Sequence, residues 1–519
     1  MANDIVQVNN SPVVRNDLFG RLDIYSTFDE ITSDNVIEEL NSALIYHVDN
    51  MIQEEFLYWY RRGVQPILNR RKEIREDILN IVQENHANEI CDFKNGAFLT
   101  QPATYQARRR GVQGKLKKLN EYLYLSGKQD ADSKIADWFH TVGKGVCYVE
   151  PNDDVNVPFK AYSLDPRSAF VVYSLRPGNK PLMGVNLVTS NGVAKFDVFT
   201  ENTVYHLTGT VTGKMMTTEK NHNYLVTATT LDSSEPNVLG KIPIIEYRYN
   251  SINQGCFECA VPLLDEINNI VSNACDGVEQ TIQNLAVAVN CNFPEGTTAS
   301  EIRKAGFIAF DSVGENKADF KLLSDQLDQT QTKVLLDRLY DQVLRICAMP
   351  NRSDGSNTYD TTGAAVLASF GWFQADAAIR NTTDLFKESN RQFDEIIVDI
   401  LKRKKLLDVE ASDFELEFVR NETANVQSKA QAFQTLMAAG LHPELAAAKS
   451  GISNDPVKDM KMSEDYLKMI WGDPKEKAKE EKQADASGNL QEEEQASEGE
   501  AVIVEEDNNN GENETGGAV

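Results

Sequence analysis

No stretch of the chain approaches the ~20 consecutive apolar residues that a membrane-spanning helix needs, so an integral helical membrane protein is excluded. Basic residues are also scarce. There are 52 Lys and Arg against 79 Asp and Glu, a formal charge of −27. Non-specific nucleic-acid affinity comes from basic surface, so a general DNA-coating protein is excluded. The opening Met1-Ala2-Asn3-Asp4-Ile5 has neither a basic start nor an apolar core, and no secretory signal is expected. The six histidines (His47, His86, His140, His206, His222 and His442) never approach one another at ligand spacing. The seven cysteines are odd in number and irregular in spacing, which argues against a disulfide framework and for a reducing compartment.

Catalytic motifs are missing too. There is no G-x-x-x-x-G-K-[ST]; Gly111-Val112-Gln113-Gly114-Lys115 and Gly209-Thr210-Val211-Thr212-Gly213-Lys214 have the wrong glycine spacing and no Ser or Thr after the Lys. Neither H-E-x-x-H nor G-x-S-x-G occurs. Cys256 and Cys259 form one C-x-x-C without the second pair that a metal site would want, and read as small residues at a helix start. No cofactor, metal or catalytic residue is expected.

What is present is a folded chain's composition, 41% hydrophobic and 25% charged. Its 519 residues allow two to four domains at roughly 150 residues each. Residues 483–519 hold eleven acidic residues, no Lys or Arg and few apolar ones, which predicts a disordered tail. The strongest basic patch is Arg108-Arg109-Arg110 with Lys115-Leu116-Lys117-Lys118. It can touch a phosphate backbone, pair with an acidic neighbouring subunit, or form a solvated face, and the last two are favoured.

Periodicity orders the rest. Val36, Leu40, Leu44, Val48, Ile52 and Phe56 predict a helix over 34–60 capped by Asp34. Further helical patterns cover 72–85 and 113–142. Residues 145–249 alternate and turn every several residues, with Pro177-Gly178-Asn179 and Ser190-Asn191-Gly192 among the turns. They predict strands at 146–150, 159–164, 170–174, 183–189, 194–200, 204–208, 224–230 and 242–249, a mostly antiparallel sheet. Helix returns over 258–285 and 329–347, around a β-prone segment at 286–292, a short helix at 300–305 and a strand at 307–310. A Pro, Gly, Asn and Ser loop follows Met349. A proline-free helix is then predicted over 361–403, about 60 Å long, starting near Thr361 or Thr362. A last helical block spans 426–470, with a turn near Gly440-Leu441-His442-Pro443.

This order of pieces resembles the bacteriophage portal proteins, in particular those of long-tailed phages of Gram-positive hosts, over roughly residues 35–470. The strings that carry the resemblance are Tyr60-Arg61-Arg62-Gly63-Val64-Gln65-Pro66-Ile67-Leu68-Asn69-Arg70, residues 88–102 with Gly96 and Gln101-Pro102 (an extended segment, then glycine, then x-Pro), and Asp165-Pro166-Arg167 before Phe170-Val171-Val172-Tyr173. Two more are Ile242-Pro243-Ile244-Ile245-Glu246-Tyr247 and Ile346-Cys347-Ala348-Met349-Pro350-Asn351.

The resemblance implies an α+β portal-type fold. Its parts would be an N-terminal arm (1–34), a helical then β-rich wing (35–257), stem helices (258–285 and 329–347) around a small α/β clip (286–328), and a tunnel loop (348–360). A long wing helix with a following strand (361–420), a helical crown (421–470) and an acidic tail (471–519) complete it. It further implies a ring, usually of about a dozen copies, at one capsid vertex of the virion, assembled in the host bacterial cytoplasm without a membrane. Double-stranded DNA would pass non-specifically through the ring. Partners would be terminase, the major capsid and scaffolding proteins, and a head-tail adaptor. The implied tunnel loop carries Pro350, Asn351, Arg352, Ser353, Asp354, Gly355, Ser356 and Asn357. Candidate channel-facing stem residues are Lys333, Asp337, Arg338, Asp341 and Arg345. Candidate partner-binding clip residues are Asn292, Phe293, Glu295, Arg303 and Lys304. Two rival readings stay open: an intracellular enzyme with an unrecognised site in the β-rich region, and a tail or adaptor ring without a packaging role.

Overall fold

The computed structural model describes residues 20–72, 76–109, 111–212, 225–282, 329–351, 371–418 and 426–452, with short strand and helix pieces between them. The chain divides into two units, Met1–Asn421 and Glu422–Val519.

In the first unit, two short strands, β1 (Gln7–Val8) and β2 (Ser11–Pro12), pair antiparallel. β3 (Ile24–Ser26) leads to α1 (Val36–Arg61). The start of α1 departs from expectation. Asn35 precedes it rather than Asp34, and its Oδ1 accepts from Thr32 N (2.7 Å) instead of capping the helix. α2 (His86–Phe98) follows, then β4 (Thr104–Ala107), α3 (Gln113–Leu125) and α4 (Lys128–Val142). The helix predicted over 113–142 is thus two helices, broken at Ser126-Gly127. α4 stops at Gly143, whose φ of +89° only glycine adopts easily, and a Cβ there would lie 2.0 Å from Asn253 O.

The β-rich region forms as read. β5 (Lys144–Pro151), β6 (Phe159–Leu164), β7 (Ala169–Ser174), β8 (Pro181–Ser190), β9 (Val193–Phe199) and β10 (Thr203–Thr212) come in succession. The short β11 (Met215–Met216) and β12 (Asn221–His222) precede β13 (Leu225–Pro236) and β14 (Ile244–Arg248). One sheet runs β13-β10-β9-β8-β7-β3, antiparallel except for β3 alongside β7; a second runs β14-β5-β6. The parallel edge strand β3 was not foreseen. It brings residues 20–34, expected to be an arm outside the wing, into the body of the unit. Alternate residues Val185, Leu187, Phe196, Val198, Tyr205 and Leu207 turn one sheet face onto Val36, Leu40 and Leu44 of α1.

α5 (Val261–Ile282) begins after a 3-10 turn at Glu258–Ala260. β15 (Leu285–Val289) pairs with β18 (Asp319–Leu323), and β16 (Cys291–Asn292) with β17 (Asp311–Ser312). The helix expected at 300–305 and strand at 307–310 lie outside the described residues. α6 (Gln329–Ile346) returns, and α7 (Trp372–Arg403) closes on β19 (Phe414–Glu417), which pairs with β4. The single long helix expected over 361–403 does not form, because Gly371 sits at φ +73° and a helix cannot continue through it. α7 is 32 residues, about 48 Å. Positions 361–370, including the expected caps Thr361 and Thr362, lie outside the described residues.

Two further expectations fail. Residues 78–85 are not helical and 76–77 form a turn, while 73–75 lie outside the described residues. Residues 88–98 are helix α2 rather than an extended segment. In the second unit, α8 (Val426–Ala438) and α9 (Pro443–Ser450) are joined by a turn with Gly440 at φ +85°, and Pro443 opens α9.

Candidate channel segment

α5 and α6 pack through one apolar cluster. Val261, Leu264 and Ile267 of α5 meet Val343 and Leu344 of α6, with Leu57, Ile90 and Phe257 behind them. This burial fixes which side of α6 stays open. Lys333, Asp337, Asp341 and Arg345 recur at four-residue steps, and together with Arg338 they span an arc about 140° wide. Lys333, Asp337, Arg338 and Arg345 are exposed and make no ion pair among the described residues. Asp341 behaves differently. It is half-buried, and its Oδ1 accepts from Asn351 Nδ2 (2.9 Å), so it ties down the start of the loop instead of standing free on the open face. The arc carries three positive and two negative residues.

The loop root is held from the other side by α2. Lys94, 2% exposed, donates from Nζ to Ala348 C=O (3.0 Å). Burial pulls the Lys94 ammonium below the usual lysine range, opposed by the thiols of Cys256, Cys347 and Cys259. Ala348 has φ +49°, and Met349 N closes the helix end on Leu344 O (2.8 Å). Tyr340 of α6 donates to Glu89 of α2, and its ring lies 4.6 Å from that of His86, tilted by 41°. Pro350 and Asn351 are described. Arg352, Ser353, Asp354, Gly355, Ser356 and Asn357 lie outside the described residues. So do Phe293, Glu295, Arg303 and Lys304 of the expected clip, where Asn292 alone is placed, paired with Asp311.

Three features on and around α5 escaped sequence reading. Arg21 forms a fully buried ion pair with Glu258, which also accepts from Gly255 N (2.8 Å) and Gly20 N (3.3 Å). Burial raises the Glu258 carboxyl, against the pull of Arg21. Polar residues on α5 also hold an extended strap, residues 78–84. Asn80 N donates to Asp276 Oδ1 (2.7 Å), Val82 N to Ser272 Oγ (3.0 Å) and Glu84 N to Asn268 Oδ1 (2.8 Å). Two extended residues advance about 6.6 Å and four helical residues about 6.0 Å, so the two periods match. Finally, Cys256 and Cys259 do not share a partner: Cys256 Sγ lies 3.6 Å from Cys91 Sγ, while Cys259 is hydrogen-bonded to Cys347. That bond lowers the Cys259 thiol to about 7. Among the described residues no group of three or more His, Cys, Asp or Glu gathers to hold a metal.

The basic patch folds back on its own chain. Arg108 pairs with Glu415 (3.4 Å), Arg109 with Asp413 (3.2 Å), and Lys115 donates to Asp408 C=O. Arg110 lies outside the described residues. A cleft of about 470 Å³ opens beside this segment, away from the β-rich region, lined by charges of both signs including Arg108, Lys387, Arg391 and Glu415. Asp394 at its floor is pushed up to about 7 by burial. It accepts from Tyr105 and from Asn390 Nδ2 (2.8 Å), a satisfied structural network. Among the described residues no helix is long and apolar enough to cross a membrane.

The sequence matches the family described as phage portal protein, SPP1 Gp6-like, over residues 44–488. No curated protein matches the chain. Among solved structures, a chain from the neck of an empty GTA particle computed with C6 symmetry aligns at 12% identity, covering 72% of this chain and 91% of that one, with a TM-score of 0.41. With the family matched over most of its length, the chain belongs to the phage portal proteins of the SPP1 Gp6-like type.

Proposed function

We propose that about a dozen copies close into a ring at one capsid vertex, that double-stranded DNA enters and leaves through its centre, and that the ring docks terminase first and head-tail adaptor proteins afterwards. Assembly takes place in the host bacterial cytoplasm, on capsid and scaffolding proteins. The observation that carries this reading is the open arc of α6. It holds charges of both signs without partners among the described residues, on a helix whose opposite side is packed. A uniformly basic lining would release counterions from DNA and hold it fast; a mixed lining lets the duplex slide. The segment 350–357 would narrow the channel, and the clip around residue 292 would meet the partners. Native mass spectrometry of the purified chain tests the ring: a species of about twelve subunits is expected, and a monomer or dimer at micromolar concentration would sink the reading. A ring that fails to support packaging in an infected cell would leave the tail or adaptor alternative.

A further inference from the structure

The strap along α5 is satisfied on one edge only. The backbone bonds of the strap fall on its even-numbered residues, from Ile78 C=O to Glu84. Besides the three N–H bonds to Asp276, Ser272 and Asn268, Lys72 Nζ donates to Ile78 C=O (3.2 Å) and Arg70 Nη1 to Asn80 C=O (2.7 Å). Ser272 Oγ donates to Val82 C=O (3.2 Å), and His86 N to Glu84 C=O (2.9 Å). In an extended chain the N–H and C=O of one residue point the same way and those of the next point oppositely. The groups of Leu79, Ile81 and Gln83 therefore form a second row facing away from α5, and among the described residues none of them has a partner. The Leu79 and Ile81 side chains beside that row are 39% and 42% exposed. A row of unpaired backbone groups flanked by apolar side chains is a template for an added strand.

We propose that this open edge is the docking site of the chain's own N-terminal segment, with the stretch Ile5-Val6-Gln7-Val8 adding as a strand. The chain is anchored at Gly20, whose N–H donates to Glu258 Oε1 at the head of α5. The near end of the strap sits on Asn268, ten positions further along, about 15 Å away. Nineteen residues precede Gly20 and can span about 60 Å when extended. The stretch is rich in β-branched residues, and Val6 and Val8 fall on one face, where they pair across the ladder with Leu79 and Ile81. Gln7–Val8 already pairs on one side with Ser11–Pro12, so the incoming element is a hairpin whose other edge has no partner strand among the described residues. The docked arm would staple the strap onto α5.

Amide hydrogen exchange on the full chain tests this. The amides of Leu79, Ile81 and Gln83 are expected to exchange at least about tenfold more slowly in the parent than in a chain lacking residues 1–12, as for a ladder formed and then lost. The double variant Ile5→Pro, Gln7→Pro, which removes the two donors on the hairpin's free edge without shortening the chain, should reproduce the loss. Fast exchange at these amides in the parent overturns the proposal. So does slow exchange that survives both changes, which would mean that another element covers the edge. A short cross-linker between Gln7→Cys and Ile81→Cys should yield a product of single-chain mass on a denaturing gel. A product of two-chain mass would instead assign the edge to a neighbouring copy and overturn the docking of the chain's own arm.

Discussion

The hydroxyl of Ser272 serves both polar groups of Val82: it accepts from Val82 N at 3.0 Å and donates to Val82 C=O at 3.2 Å. Ser272 is fully buried on α5, 190 residues away in sequence from its partner. One small side chain thus replaces the ladder that an extended segment would otherwise need. One helical turn away on either side, Asn268 and Asp276 accept the N–H groups of Glu84 and Asn80.

Ser272→Ala removes both bonds and leaves two backbone groups against a buried methyl. The expected cost is about 1–3 kcal/mol, read as a lower denaturation midpoint. An unchanged midpoint would show that water replaces the hydroxyl and that the strap is not dry.

Glu54 gives a stability that depends on pH. It is buried on α1, its Oε2 has no hydrogen-bond partner among the described residues, and burial pushes its carboxyl up to about 8 against the pull of Arg21 and Lys144. The unfolded chain releases this proton near 4.5. Between these values the folded state holds more protons than the unfolded one. The contribution is therefore fully present below pH 4.5 and is lost as pH rises through 8, by at most about 1.4 kcal/mol per pH unit. Glu54→Gln should flatten this decline. A parent and variant with the same pH slope over that range would refute the assignment.

Much of the β-rich region was legible in the sequence because its instructions are local. The strands from 144 to 248 follow alternation, and their turns carry residues suited to positive φ: Asn179 at +44°, Gly178 at +101°, Asn191 at +53° and Gly192 at +79°. The strap was misread as helix because its partners are polar side chains on a distant helix, a relationship that leaves no period in the strap's own sequence. α2 was misread because Gly96 looked like a break, yet it faces open space and the helix tolerates it. β3 and the pairing of β4 with β19 join residues far apart in the chain and have no local signal. The same holds for the site. The charged arc of α6 follows from four-residue spacing, whereas nothing in the string distinguishes the buried Lys94, Arg21 or Glu258 from the surface charges around them.

Two glycines with positive φ should respond very differently to alanine. At Gly143 a Cβ would meet Asn253 O at 2.0 Å and Asn253 C at 2.3 Å, both backbone atoms. At Gly192 it would meet nothing within 4 Å. Gly192→Ala should cost only the backbone strain, about 1–2 kcal/mol. Gly143→Ala must also separate α4 from the chain at Asn253 and should cost about 3 kcal/mol or more. Melting temperatures of the two variants check the order, and equal losses would mean that the close approach relaxes freely.

The root of the proposed tunnel loop offers a way to separate its position from its length. Lys94 holds Ala348 C=O and Asp341 holds Asn351, so the loop leaves α6 from a fixed point. Lys94→Met keeps most of the buried volume but removes the donor, leaving a carbonyl unpaired at a cost of about 1–3 kcal/mol. That is too little to unfold a ring but enough to loosen the exit. Exchange of the amides from Cys347 to Asn351 should rise while those of β7 and β8 stay protected. Particles built with the variant should contain normal rings and retain less DNA than the parent, as should particles whose loop lacks residues 353–357. The decisive result is retention measured against exchange. If Lys94→Met frees the loop root and the particles still hold full-length DNA, then the loop acts through its own residues and not through where α6 releases it.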